Sequence, residues 1–169
     1  MSWVTIKEHL KNISERDMLA LMHEVYQLDV KNRRFFESRF LRVKRDEIIR
    51  ELKEKIQKNI NSHKNLRECR TLINNHKKAT GNLREYIELC LWQARCITEY
   101  MIMYGGCGED MENAAATSYE AACKQYLRIE QIDQNELHQS FVSVLKKAEQ
   151  TYSTLYELCE YYFNEYLNK

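Results

Sequence analysis

Six cysteines, five histidines and twenty-five carboxylates give this 169-residue chain the raw material for nucleophilic or metal chemistry. The most suggestive stretch is Tyr104-Gly105-Gly106-Cys107-Gly108-Glu109-Asp110, which holds three of the four glycines. Glycines on both sides expose the Cys107 thiol, and a helix starting just after it could lower the thiol pKa. Glu109, Asp110 and Glu112 oppose a thiolate, however, and no histidine lies nearby in sequence to act as a base. The simpler reading of Gly105, Gly106, Cys107 and Gly108 is a turn that carries an incidental thiol.

Metal chemistry finds no better footing. Cys69 and His76 share one predicted helix face, but seven residues put them ~10.5 Å apart along the axis, too far for one ion with bonds near 2 Å. HExxH is absent, and the six cysteines contain no CxxC. No metal or cofactor is therefore expected, and the cysteines read as reduced, buried thiols. GGCG matches neither GxGxxG nor GxxxxGK[ST], and the acids that follow it would repel a phosphate. No catalytic residue is assigned. An enzyme built on Cys107, or on carboxylates that meet only in three dimensions, stands as an alternative.

The elements that would position such groups are helices. Proline is absent and glycine scarce, which removes the usual punctuation of strands and hairpins. The expectation is an all-α, single-domain bundle of about seven or eight helices over residues 1–169. Trp3, Ile6, Leu10 and Ile13 form one stripe, and Met18, Leu21, Met22, Val25 and Leu28 another. Ser14 and Asp29 are expected N-caps. Ile49, Leu52, Ile56 and Ile60 mark a fourth helix, and Leu66, Cys69, Ile73 and His76 a fifth that stops near Gly81. Residues 83–104 read as the central helix. Asp110 is expected to cap the segment with Ala114, Ala115 and Ala116, and a last helix to run from near Asn135 toward Leu167.

Net charge is only +1, which argues against a globally basic nucleic-acid binder. Residues 1–84 nevertheless hold 20 Lys and Arg against 11 Asp and Glu, and residues 85–169 hold 6 against 14. The basic and acidic halves are expected to attract across the bundle. Arg34, Arg42 and Arg45 form a candidate basic ridge for an anion or nucleic acid, with a solvated helix face as the competing reading. The longest apolar-rich stretch is broken by Glu88, Arg95 and Glu99, so no membrane span is expected. The opening residues carry charge by Lys7 and do not read as an export signal, which points to a cytoplasmic protein.

IKEHLKNISERDMLALMHEVYQ, NLRECRTLINNHKKATGN and YGGCGEDMENAAATSYEAA together resemble, in order and spacing, a bacterial family of small helical proteins classed as a domain of unknown function. The resemblance implies a compact helical fold in a bacterial cytoplasm and no particular activity. In that family an aromatic-glycine-acid turn joins two central helices, here lengthened by an extra glycine and Cys107. A Gly, Trp and His cluster near the family's last helix is replaced here by residues 152–158, which contain none of the three.

The final helix carries more aromatic surface than one seam uses. Tyr152, Tyr162 and Tyr166 share a stripe, while Tyr156 and Phe163 lie on a second face. Tyrosine suits interfaces because its ring buries area while its hydroxyl keeps a polar partner. The functional expectation is a non-enzymatic protein-interaction or regulatory module, binding a protein partner or a second copy through these aromatics.

Overall fold

A computed structural model describes residues 2–60, 63–105 and 108–168. Among the described residues there are nine helices and no strand: α1 (Trp3–Leu10), α2 (Glu15–Leu28), α3 (Val30–Phe40), α4 (Arg42–Lys58), α5 (His63–Thr80), α6 (Leu83–Tyr104), α7 (Glu109–Tyr126), α8 (Gln131–Glu149) and α9 (Leu155–Tyr166).

Local chemistry sets the starts and stops. Ser14 Oγ accepts from the Asp17 amide at 3.1 Å, and Asp29 Oδ1 accepts from the Asn32 amide at 2.7 Å, as capping residues do. Gly81, at φ +68°, ends α5 in the left-handed region that penalises a Cβ. Two boundaries depart from the sequence reading. Gly108, not Asp110, occupies the N-cap of α7, so Asp110 falls inside the first turn beside Glu109. The expected single C-terminal helix is two, because Tyr152 adopts φ +52° and the chain turns between Glu149 and Leu155. Thr151 Oγ1 donates to the Ala148 carbonyl at 2.7 Å and Ser153 Oγ accepts from the Leu155 amide at 3.3 Å, so hydroxyls take over backbone bonds at the break.

Helix α6 is the centre. Its buried residues, among them Ile87, Leu89, Leu91, Ala94, Ile97 and Met101, fall on every side rather than along one stripe. That pattern belongs to a helix enclosed by others. Its neighbours are α4, α5, α7 and α8, with α7 the most extensive. Small residues allow that closeness: Ala115, Ala116 and Ala122 of α7 are buried. Helix α4 contributes Leu52 and Ile56 to the core, Ile60 joins them from the turn just after it, and α5 contributes Leu66, Cys69 and Ile73.

Two polar ties are built into this apolar body. Buried Gln93 of α6 donates to the Leu66 carbonyl at 3.3 Å and accepts from Ser118 of α7 at 3.1 Å. At the α5–α6 corner, the Asn82 side chain accepts from the Glu85 amide at 3.2 Å and donates to Glu85 Oε1 at 2.9 Å, a reciprocal capping arrangement. Glu85 Oε2 meets buried His76 Nε2 at 2.8 Å, and because a carboxylate accepts, the ring nitrogen donates. One carboxylate thus starts α6 and anchors the end of α5. Glu85→Ala is expected to lower stability by about 2–3 kcal/mol, since it loosens the cap and leaves the His76 nitrogen unpaired. Urea unfolding measures the change, and Glu85→Gln should recover part of it.

The charge-divided halves do touch through ion pairs. Lys53 bonds Glu88, and Arg84 reaches Asp133 at 2.6 Å and Glu136 at 2.5 Å, each pair joining residues 1–84 to residues 85–169.

Candidate interaction surface

The sequence-predicted surface residues separate once folded. Phe163 is buried against His138, with ring centroids 5.6 Å apart, so it belongs to the core and is withdrawn from the contact surface. Tyr156, Tyr162 and Tyr166 are half-buried and pack onto the core, Tyr156 also donating to Glu160 at 2.6 Å. Tyr152 is 99% exposed, but it stands alone at the α8–α9 turn. The helix directs most of its aromatic area inward because α7 and α8 both lie against it.

The basic ridge is similarly divided. Arg34 lies 3.7 Å from Glu51, while the side chains of Arg42 and Arg45 lie outside the described residues. Arg39, on the same helix, donates to the Thr80 carbonyl at 2.9 Å and so ties α3 to the end of α5. Arg33 sits over the Tyr26 ring at 5.5 Å from its centroid. Each of these three described arginines has a partner within the chain.

Of the glycine loop, Gly106 and Cys107 lie outside the described residues. Gly105, at φ +74°, closes α6 as a left-handed C-cap, its amide donating to the Met101 carbonyl at 3.0 Å. Gly108, at φ +80°, opens α7. Both glycines therefore serve the turn that the sequence suggested.

The five described thiols are buried. Burial pushes Cys69 up to about 11 and Cys96 and Cys159 up to about 12. Cys90 shifts upward for the same reason, even though Arg70 donates to its sulfur at 3.5 Å. A thiol held protonated is a small core hydrophobe, not a nucleophile. Among the described residues, no three His, Cys, Asp or Glu side chains gather closely enough to hold a metal ion.

A groove of about 310 Å³ lies over α4, α6 and α8, with Lys53, Glu88, Trp92, Arg95, Ser140 and Ser143 in its walls. Its cations are answered locally: Lys53 by Glu88, and Arg95 by Glu99 at 2.9 Å. Trp92 donates to the Lys53 carbonyl at 3.1 Å. The groove offers an apolar wall with its charges already neutralised.

The uncovered surface lies at the other end of the chain. Neither α1 nor α2 buries a single residue, α1 makes no extensive contact with another helix, and the extensive contact of α2 is with α3 alone. Among the described residues, eleven large apolar side chains between Trp3 and Leu41 are exposed, against seven in residues 42–169. Their density therefore selects the amino-terminal arm, α1 to α3, as the surface most in need of a cover. Trp3 is 67% exposed, Leu28 74% and Phe40 66%. Helix α2 is closed along the edge where Tyr26 meets Phe36 of α3 edge-on at 6.1 Å. The stripes on α1 and α2 were legible in the sequence, but their periodicity does not say what covers them.

Together these features define a class: an all-helical body carrying an apolar helical arm. Compared with known proteins, the chain matches no family model, no curated protein and no solved structure. No helix among the described residues is long and apolar enough to cross a membrane.

Proposed function

We propose that this protein is a non-enzymatic interaction or regulatory module of the bacterial cytoplasm, a member of the helical family that its three motifs resemble. Its working surface is the apolar face of α1 and α2, with Tyr152 and the half-buried tyrosines of α9 as a secondary patch. The supporting observation is that helices with regular apolar stripes leave those stripes outside the core. Burying a large apolar side chain is worth about 1.5–3 kcal/mol, so an arm that leaves several exposed gains most when another surface covers them.

The test is co-purification from the native cell with the wild type and with Ile6→Glu/Leu28→Glu, two exposed positions whose change leaves the body intact. A stoichiometric companion, or a second copy, recovered with the wild type and lost with the variant is the expected result. Equal recovery from both would remove the arm as the working surface.

A further inference from the structure

We propose that the end of the bundle where α5, α6 and α7 meet binds a small phosphate dianion, free or carried as a monoester, through Arg70, Lys77 and Arg128 with the Asn74 amide as a neutral donor. The site is separate from the amino-terminal arm and goes beyond the interaction role proposed for it.

Helix register brings the three cations together. Arg70, Asn74 and Lys77 recur at i, i+4 and i+7, so they share one face of α5, and all three are half-buried. Arg70 donates to the Cys90 sulfur of α6 at 3.5 Å, and the Lys77 ammonium lies 4.0 Å from the centre of the Tyr86 ring. Together with the bond from Gln93 to the Leu66 carbonyl, these contacts make α5 and α6 antiparallel. The short turn after Tyr104 returns α7 antiparallel along α6, and the Ser118–Gln93 bond sets its register. Stepping back from Gln93 to Tyr86 on one helix therefore leads forward from Ser118 to Gln125 on the other. Arg128 donates to Gln125 Oε1 at 3.0 Å, which puts its guanidinium at the same end as Lys77.

Charge points the same way. No Asp or Glu among the described residues pairs with Arg70, Lys77 or Arg128. Burial lowers the Lys77 pKa most, and the Arg128 and Arg70 guanidinia lower it further against the pull of Cys90. Cations gathered without a counter-ion repel, and a bound dianion removes that cost, with each guanidinium able to face two phosphate oxygens. Helix dipoles account for only part of the cluster. Lys77 and Arg128 stand at C-terminal ends, where cations are favoured, but Arg70 lies in the middle of α5. A nucleic-acid backbone fits less well. Arg84 and Lys124, the neighbouring cations on α6 and α7, are already held by Asp133, Glu136 and Glu120, so the cluster does not continue into a basic track.

Isothermal titration calorimetry with inorganic phosphate and with glycerol 3-phosphate, each to about 10 mM in ~0.1 M NaCl, tests the site. Saturable one-to-one binding is the expected result; tighter binding of glycerol 3-phosphate assigns a monoester, and the reverse order the free ion. Arg128→Gln, at an exposed position, and Lys77→Gln should each raise the Kd at least roughly tenfold with helicity unchanged. Lys78→Gln, an exposed neighbour that removes the same charge, should change it less than about twofold. Ile6→Glu/Leu28→Glu should leave it unchanged, so failure of the arm and failure of this site are told apart. Absence of binding by both phosphates overturns the proposal. Equal losses in Lys78→Gln and Arg128→Gln overturn it as well, because net charge alone is then at work. Single-stranded DNA that binds more tightly than both, with an affinity that falls steeply as salt rises, overturns the small ligand in favour of a nucleic acid.

Discussion

Raising the pH from about 8 to about 10.5 is expected to unfold the protein cooperatively, because its core is lined with thiols that burial keeps protonated. Cys69 is pushed up to about 11 and Cys96 and Cys159 up to about 12, Cys90 and Cys123 move the same way, and burial holds Tyr86 up to about 12. An unfolded thiol ionises near ~8.5. Between that value and the folded one, the native state holds more protons than the unfolded state, so stability falls as pH rises. The contribution is fully present below ~8.5 and is lost through pH ~11 to 12, at about 1.4 kcal/mol per pH unit for each thiol. Two units of rise acting on Cys69, Cys96 and Cys159 remove on the order of 8 kcal/mol, comparable with the 5–15 kcal/mol that holds a typical domain. Far-ultraviolet circular dichroism against pH, with reductant present, follows the transition. Alkylation at neutral pH gives an independent check: no more than one thiol per chain should react quickly while the fold persists. Full helicity at pH ~11, or several fast thiols at neutrality, would show that these side chains are not enclosed as described.

Phe141→Ala is expected to lower stability by about 3–5 kcal/mol, the usual range for emptying a fully buried aromatic site. Phe141 is 0% exposed, and its ring meets Tyr119 and Tyr126 edge-on at centroid distances of 5.7 and 5.3 Å. Tyr119 also donates to the Phe141 carbonyl at 3.3 Å, so α7 and α8 are joined at this point by ring packing and by a hydrogen bond. The side-chain change removes the first and disturbs the second. For a chain of this length, the loss corresponds to a drop in Tm of roughly 10 °C. Leu28→Ala, at a 74% exposed site, should change the stability of the monomer by less than about 0.5 kcal/mol. A Phe141→Ala penalty below about 1 kcal/mol in urea unfolding would contradict the packing of α8.

Elements fixed by short-range signals were legible in the sequence. The Ser14 and Asp29 caps, the α5 stripe from Leu66 to His76, the Gly81 stop and the span of α6 all depend on residues within a turn or two of one another. The break between α8 and α9 was harder to see because no glycine or proline marks it. Its only signal is the Thr-Tyr-Ser-Thr cluster, whose hydroxyls capture backbone groups while Tyr152 takes a left-handed φ. The site was less legible than the fold. A stripe such as Met18 to Leu28 says that one face seeks apolar company, but only the tertiary arrangement decides whether that company comes from the same chain. The aromatic run of α9 misled for the same reason. Phe163 lies only two residues from exposed Tyr161, on the opposite side of the helix, and it packs on His138, more than twenty residues away in sequence.

The central position of α6 also governs how the chain is born. Leu52, Ile56, Leu66 and Ile73 leave the ribosome well before the helix they pack against is complete at Tyr104. At roughly 5–20 residues per second, they wait several seconds with their apolar faces bare. Nascent α4 and α5 are thus natural clients for a holding chaperone, and synonymous codons that slow translation between them and α6 would lengthen that vulnerable interval.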